Sequence, residues 1–113
     1  MKIRVRDHVK MAADRMAKIG LSSTERTQLD LYCVAAGQSQ TAHRHAAEDK
    51  IYYVLEGGGR FSLGGVEERL EAGEALVAPA GVDHGLVNDG PAPLLVLVMV
   101  APPPAHMKRE PGR

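Results

Sequence analysis

Apolar and polar residues alternate with a period of two along much of this chain. Between residues 28 and 35 the apolar positions are 29, 31, 33 and 35, the repeat of a strand with one face turned inward. Residues 51–55 (IYYVL) are aromatic and β-branched, a composition that suits a pleated, half-buried surface. Residues 60–63 and 66–70 flank Gly64-Gly65, a two-residue hairpin turn in which glycine supplies positive φ. Further strands are predicted at 75–78, stopped by Pro79, and at 84–87. Residues 94–100 (LLVLVMV) are continuously apolar, which predicts a strand covered on both faces. The segments EGGG (56–59), EAGE (71–74), PAG (79–81) and NDGPAP (88–93) read as turns and loops. A break is predicted at 37–40. The one helix signal is 7–19 (DHVKMAADRMAKI), where Val9, Ala13 and Met16 fall at helical spacing. An N-terminal strand over part of that segment is the alternative.

Many short strands closed by turns predict an all-β sandwich or barrel. The 113 residues suit one domain. Its expected divisions are an N-terminal extension (1–25), a barrel (26–101) and a proline-rich tail (102–113). Lysine plus arginine equals aspartate plus glutamate, 14 each, so charge gives no case for nucleic acid or an anionic membrane as partner. The single cysteine, Cys33, alternates with Leu29 and Leu31 and is expected in the core. No charged-then-apolar leader opens the chain, and the longest apolar run, 94–101, is too short to span a bilayer. A cytoplasmic protein is expected.

Candidate chemistry lies in the histidines. His8 and His106 sit near the ends; His43, His45 and His84 sit in the strand-rich part. If extended, His43 and His45 point to the same side. A third imidazole from a neighbouring strand would complete a facial set for Zn, Fe, Mn, Ni or Cu with positions left open. His84 follows a proline-glycine turn, where a strand begins.

At these residues the sequence resembles the cupin family. Gly37-x5-His43-x-His45, followed by IYYVLEG ending at Gly57, is similar to the first cupin motif. Gly73-x5-Pro79-x-Gly81-x2-His84-x3-Asn88 matches the second at every defining position. The match covers 37–88, close to half the chain. The resemblance implies a cupin-type jelly-roll β-barrel with the metal ligands His43, His45 and His84 at its mouth, a small-molecule ligand, and a homodimer. It implies a metal-dependent enzyme, dioxygenase or isomerase in type; a non-catalytic module that binds a sugar or organic anion is the alternative.

One position departs from the family. Counting back seven from Gly57, the register puts Lys50 where the family has an acidic ligand; Asp49 reaches that place only across a bulge. An inward ammonium about 5 Å from a divalent ion would repel it by about 7 kcal/mol at an effective dielectric of about 20. Three ways out remain open. Lys50 is neutral; it turns outward to pair with Glu48 or Asp49; or an anionic substrate sits between it and the metal. Lys50 is the candidate anion anchor or general base, and Tyr52, of the same strand parity, the second candidate catalytic side chain. Gln40 is assigned the histidines' face, as a fourth ligand or substrate hydrogen-bonder. Gln38 is a polar turn residue. Asp83 either orients an imidazole or faces solvent.

Overall fold

The computed structural model describes residues 1–103; His106 and the tail from residue 104 lie outside that range. Nine strands occur among the described residues: β1 (Ala17–Ser23), β2 (Gln28–Val34), β3 (Ser39–His43), β4 (Asp49–Glu56), β5 (Gly58–Leu63), β6 (Val66–Glu71), β7 (Ala75–Ala78), β8 (His84–Val87) and β9 (Leu94–Ala101). They pair antiparallel in two sheets, β1-β2-β9-β4-β7 and β3-β8-β5-β6. From β2 onward the chain passes repeatedly from one sheet to the other. That is the predicted all-β jelly roll, with the two inner faces enclosing one core.

The strand register explains where the core sits. On the five-stranded sheet, Gln28, Val100, Lys50 and Ala78 form one cross-strand row, and Asp30, Val98, Tyr52 and Leu76 form the next. These residues are buried, whereas their neighbours Ile51, Tyr53, Val77 and Met99 are exposed on the outer face. At one end of the barrel the interior is apolar, packed with Val34, Val54, Phe61, Leu70 and Leu94. At the other end it is polar, with Gln28, Asp30, Lys50 and His84 all buried. A second, smaller apolar cluster covers part of the outer face: Leu31, Cys33 and Leu95, with Val5, Ile19, Leu21 and Leu55 packed against them. Cys33 is therefore core, as its alternation predicts.

The predicted helix over 7–19 does not form. A single 3-10 turn, Val5–His8, overlaps only residues 7 and 8 of it, and residues 17–19 open β1. Weak helix propensity is outcompeted by tertiary pairing. Residues 17–23 find backbone partners along β2, from Ala17↔Cys33 to Ser23↔Gln28. Ala17, Ile19 and Leu21 join the outer cluster, and Met16 enters the main core. Residues of the predicted N-terminal extension thus supply an edge strand of the barrel. The predicted break at 37–40 is shorter than expected. The turn ends around Gly37, which has φ +83°, and Ser39 already starts β3.

Asn88 closes the barrel's apolar end. It is fully buried. Its Nδ2 donates to the carbonyls of Val34 (3.0 Å) and Ala92 (2.8 Å), and its Oδ1 accepts from the N–H of Gly90 (3.1 Å). One side chain therefore satisfies backbone groups at the end of β2 and in the loop before β9. Asn88→Ala strands these groups and is expected to lower the unfolding free energy by about 2–4 kcal/mol, read from urea denaturation. A loss under about 0.5 kcal/mol, the range of ordinary surface changes, would refute the clamp.

Candidate metal centre

The site is built on the pairing of β3 with β8. His43, the last residue of β3, lies directly across from His84, the first residue of β8. Between Gln40 and His43 the register slips: three steps along β3 match two along β8. That is a β-bulge, and it changes which side chains share a face. On a regular strand Gln40 and His43 would point to opposite sides. The bulge turns both inward, so Gln40 reaches its assigned face by a route that strand parity does not contain.

Close strand approach makes the pairing possible. A Cβ on Gly85 would stand 2.8 Å from the Gln40 carbonyl oxygen and 2.9 Å from Ala42 N and Cα. All three are backbone atoms and have no rotamer with which to yield. Any side chain at 85 would push β3 from β8 and separate the two histidines.

His45 lies beyond the end of β3, in the loop to β4. The loop is fixed against the turn at 79–81. Gly81 N–H donates to the His45 carbonyl (2.8 Å), Ala80 N–H donates to Asp49 Oδ1 (2.9 Å), and Arg44 Nε donates to Asp83 Oδ1 (2.8 Å). Asp49 and Asp83 are thus occupied in holding this loop. Asp49 does not supply the missing acid, and Asp83 orients no imidazole.

The three imidazoles converge. Ring centroids are 5.0 Å apart for His43–His45, 4.5 Å for His43–His84 and 5.7 Å for His45–His84. One nitrogen from each lies within 4.8 Å of the others. Tautomers follow from the neighbours. His43 Nδ1 lies 2.9 Å from the Thr41 carbonyl, and His84 Nδ1 lies 3.0 Å from that of Val82. A carbonyl only accepts, so both Nδ1 atoms carry the proton and both Nε2 atoms keep a lone pair. His45 Nδ1 is 3.4 Å from Glu48 Oε1, which leaves its Nε2 as the unoccupied nitrogen. His84 Nε2 is buried and has no hydrogen-bond partner among the described residues. A buried, unsatisfied lone pair is costly, and a cation at the centre of the cluster would satisfy it. The donor set fits a divalent transition ion.

Electrostatics keep these rings neutral. Burial lowers the pKa of all three, and the nearby Lys50 charge lowers each further; His84 falls to about 4. Neutral imidazole is the ligating form. Glu48 is a site group that the motif spacing does not single out. Its spacing of three from His45 is the available signal, but the motif register directs attention to 49 and 50.

Lys50 points inward and is 2% exposed. It does not swing out to Glu48 or Asp49. Glu48 contacts His45, and Asp49 holds the turn at Ala80. Lys50 Nζ lies 5.1 Å from the ring centroids of both Tyr32 and Tyr52, within cation–π range of each. Buried Asp30 occupies the same inner face, two strands away. Tyr52 is fully buried, and its O–H donates to Gln40 Oε1 at 3.0 Å. Burial raises its pKa well above the ordinary phenol value, which favours the protonated, hydrogen-bond-donating form. The structure thus brings all six candidate side chains to one end of the barrel.

The described residues contain no helix long and apolar enough to cross a membrane. A family model described as a cupin domain matches residues 30–100. The crystal structure of TT1209 from Thermus thermophilus superposes with a TM-score of 0.88 at 40% identity, covering 92% of this chain and 100% of that one. The chain is 38% identical over 69 residues to the tetracenomycin polyketide synthase protein TcmJ of Streptomyces glaucescens, covering 61% of this chain and 46% of that protein. It is 33% identical over 64 residues to an oxalate-binding protein of Thermotoga maritima, covering 57% and 53% respectively. The chain spans about half the length of these two curated relatives.

The depressed His84 pKa sets an acid limit on stability. Between about pH 6.5 and about pH 4 the unfolded chain takes up a proton at this position that the folded chain refuses. Stability of EDTA-treated protein is therefore greatest above about pH 6.5 and falls as pH drops toward 4. His84→Gln is expected to remove about one proton from the slope of unfolding free energy against pH. An unchanged slope in urea titrations across that window would contradict a buried neutral His84.

Proposed function

This chain belongs to the cupin domain family, and on the three imidazoles at the polar end of its barrel we propose that it is a metal-dependent enzyme acting on a small molecule, of dioxygenase or isomerase type. The carrying observation is the donor set. Three neutral rings converge, with His43 and His84 committed through Nδ1 to backbone carbonyls and His84 Nε2 buried without a partner among the described residues. His43, His45 and His84 would hold the ion, and their chemistry suits Zn, Fe, Mn, Ni or Cu. When bound it supplies Lewis acidity or a place for dioxygen. Around it, Gln40 and Tyr52 form a hydrogen-bonded pair that positions a ligand. Lys50 is a fixed positive charge that favours anionic species near the cluster.

A specific observation supports the second reading, a binding module without turnover for a sugar or organic anion. Tyr52 is held protonated and is engaged with Gln40, and the carboxylate against the cluster, Glu48, is taken up by His45. Among the described residues no side chain at the cluster is an evident base. One relative carries the name oxalate-binding protein, which suits the same reading.

Metal content is the test common to both. Untagged protein is expected to carry about one transition-metal ion per chain by mass spectrometry, and His84→Gln to lose most of it. Interior charge should tune the affinity. Lys50→Met removes a buried cation and is expected to tighten metal binding by about tenfold or more, whereas Asp30→Asn removes a buried anion and weakens it. An empty wild type after exposure to each of these metals, or full loading of His84→Gln, would sink the metal-site reading.

The homodimer belongs to this proposal too. Ile51, Tyr53, Val77 and Met99 are between 37% and 55% exposed on the outer face of the β7-β4-β9 part of the sheet. Clustered apolar exposure of this kind marks an association surface. Light scattering is expected to give a dimer for wild type and a monomer for Val77→Glu; a monomeric wild type would exclude it.

A further inference from the structure

A groove opens where the edge of one sheet meets the edge of the other, between β1 with the segment before it and β3. Its volume is about 620 Å³, and Arg15, Met16, Lys18, Ser39 and Gln40 line it together with two alanines. That is within the range of small-molecule sites. Its walls are fixed. Gln38 Nε2 donates to the Ala12 carbonyl (2.8 Å) while its Oε1 accepts from Ala35 N–H (2.8 Å). This clamps the N-terminal segment to the turn before β3. Met16, in the main core, anchors the other end of the same segment.

The groove's ionisable lining side chains are basic, and Lys18 Nζ also lies 5.5 Å from the Tyr32 ring centroid. Arg15 and Lys18 are its ionisable lining residues, and no carboxylate is among them. Arg15 makes no ion pair among the described residues. The acids nearest the histidines are engaged away from the groove: Glu48 with His45, Asp49 with Ala80, and Asp83 with Arg44. Gln40 stands between the groove and the cluster. Gln40 is shared by both, through its bond to Tyr52, whose ring centroid is 6.0 Å from that of His84. Lys18 is close enough to His43 and His45 for its charge to act on both rings.

We propose that this groove is the acid-binding end of the ligand site: the molecule that reaches the three histidines is a small organic carboxylate whose acid group is held by Arg15 and Lys18. The inference rests on the reading of the histidine cluster as the reactive or recognition end of the same site. Arginine offers a planar fork that matches a carboxylate, and lysine adds a mobile point charge. Met16 and the alanines supply an apolar wall for the carbon skeleton. Gln40 and Ser39 supply neutral hydrogen bonds between the two ends.

Calorimetry on the full chain tests this, using benzoate and malonate against their neutral amides, benzamide and malonamide. Each titration is run on EDTA-treated and on zinc-loaded protein. The acids are expected to bind at least about tenfold tighter than the amides. Arg15→Gln and Lys18→Gln should each lower acid affinity by about tenfold and leave amide affinity unchanged, while Lys18→Arg retains binding. Zinc content at saturation should stay at about one ion per chain in all variants, since neither residue is a candidate ligand. Acid binding by EDTA-treated protein that disappears in Arg15→Gln supports the groove even where the histidines hold no metal. Equal affinity for acids and amides, no binding of either acid, or acid binding undiminished in both glutamine variants overturns it. If zinc loading is normal in that case, the reading of the histidines stands without it.

Discussion

The contact on which the site depends is the close approach of β8 to β3 at Gly85. Backbone atoms of Gln40 and Ala42 occupy the space that a side chain at 85 would need. With the bulge beside it, this contact faces His43 toward His84 and turns Gln40 to the same side. Everything downstream uses that geometry. The loop bearing His45 can be tied to the turn at 79–81 only because β3 ends where β8 begins. A close-packed interior transmits such a displacement with little relaxation, so a single methyl group at this point acts on all three ligands together.

Much of this was legible in the sequence, and the failures have physical causes. The strands at Ala75–Ala78 and His84–Val87 have the predicted bounds because proline and glycine punctuate them sharply. β4 and β9 were legible from composition alone. β1 was not, because residues 7–19 carry weak helical spacing, and the pairing with β2 that fixes residues 17–23 is not reported by that spacing. β3 was half hidden, since polar residues such as Ser39, Gln40 and Thr41 carry no alternating apolar signal. The histidine set was legible because motif spacing encodes turn and strand lengths. The fate of Lys50 was not: sequence counting places it at the acid's position, but only the burial of its neighbours decides that it turns inward. Glu48 and the bulge both depend on loop geometry that no periodicity reports.

Replacing a carboxylate by an ammonium at position 50 would by itself leave the barrel interior with an unbalanced charge. The structure holds Asp30 on the same inner face, also buried. With neutral imidazoles the formal charges of Lys50 and Asp30 cancel. The two tyrosine rings around Nζ give the ammonium a further favourable environment away from water. An interior arranged this way tolerates a lysine that would otherwise expel a metal or shift the strand.

The groove's two basic residues and the histidine cluster come from separate stretches of chain. Arg15 and Lys18 belong to the N-terminal segment and β1, whereas the imidazoles come from residues 43–84. The segment is joined to the rest through the Gln38 clamp, the Met16 anchor and the pairing of β1 along the β2 edge. The two basic residues and the coordinating histidines therefore sit on separable pieces of chain. Exchange of the segment through Lys18 for that of another barrel would rewrite which molecules enter while the coordinating end stays in place, an economical route for one scaffold to diversify its ligands.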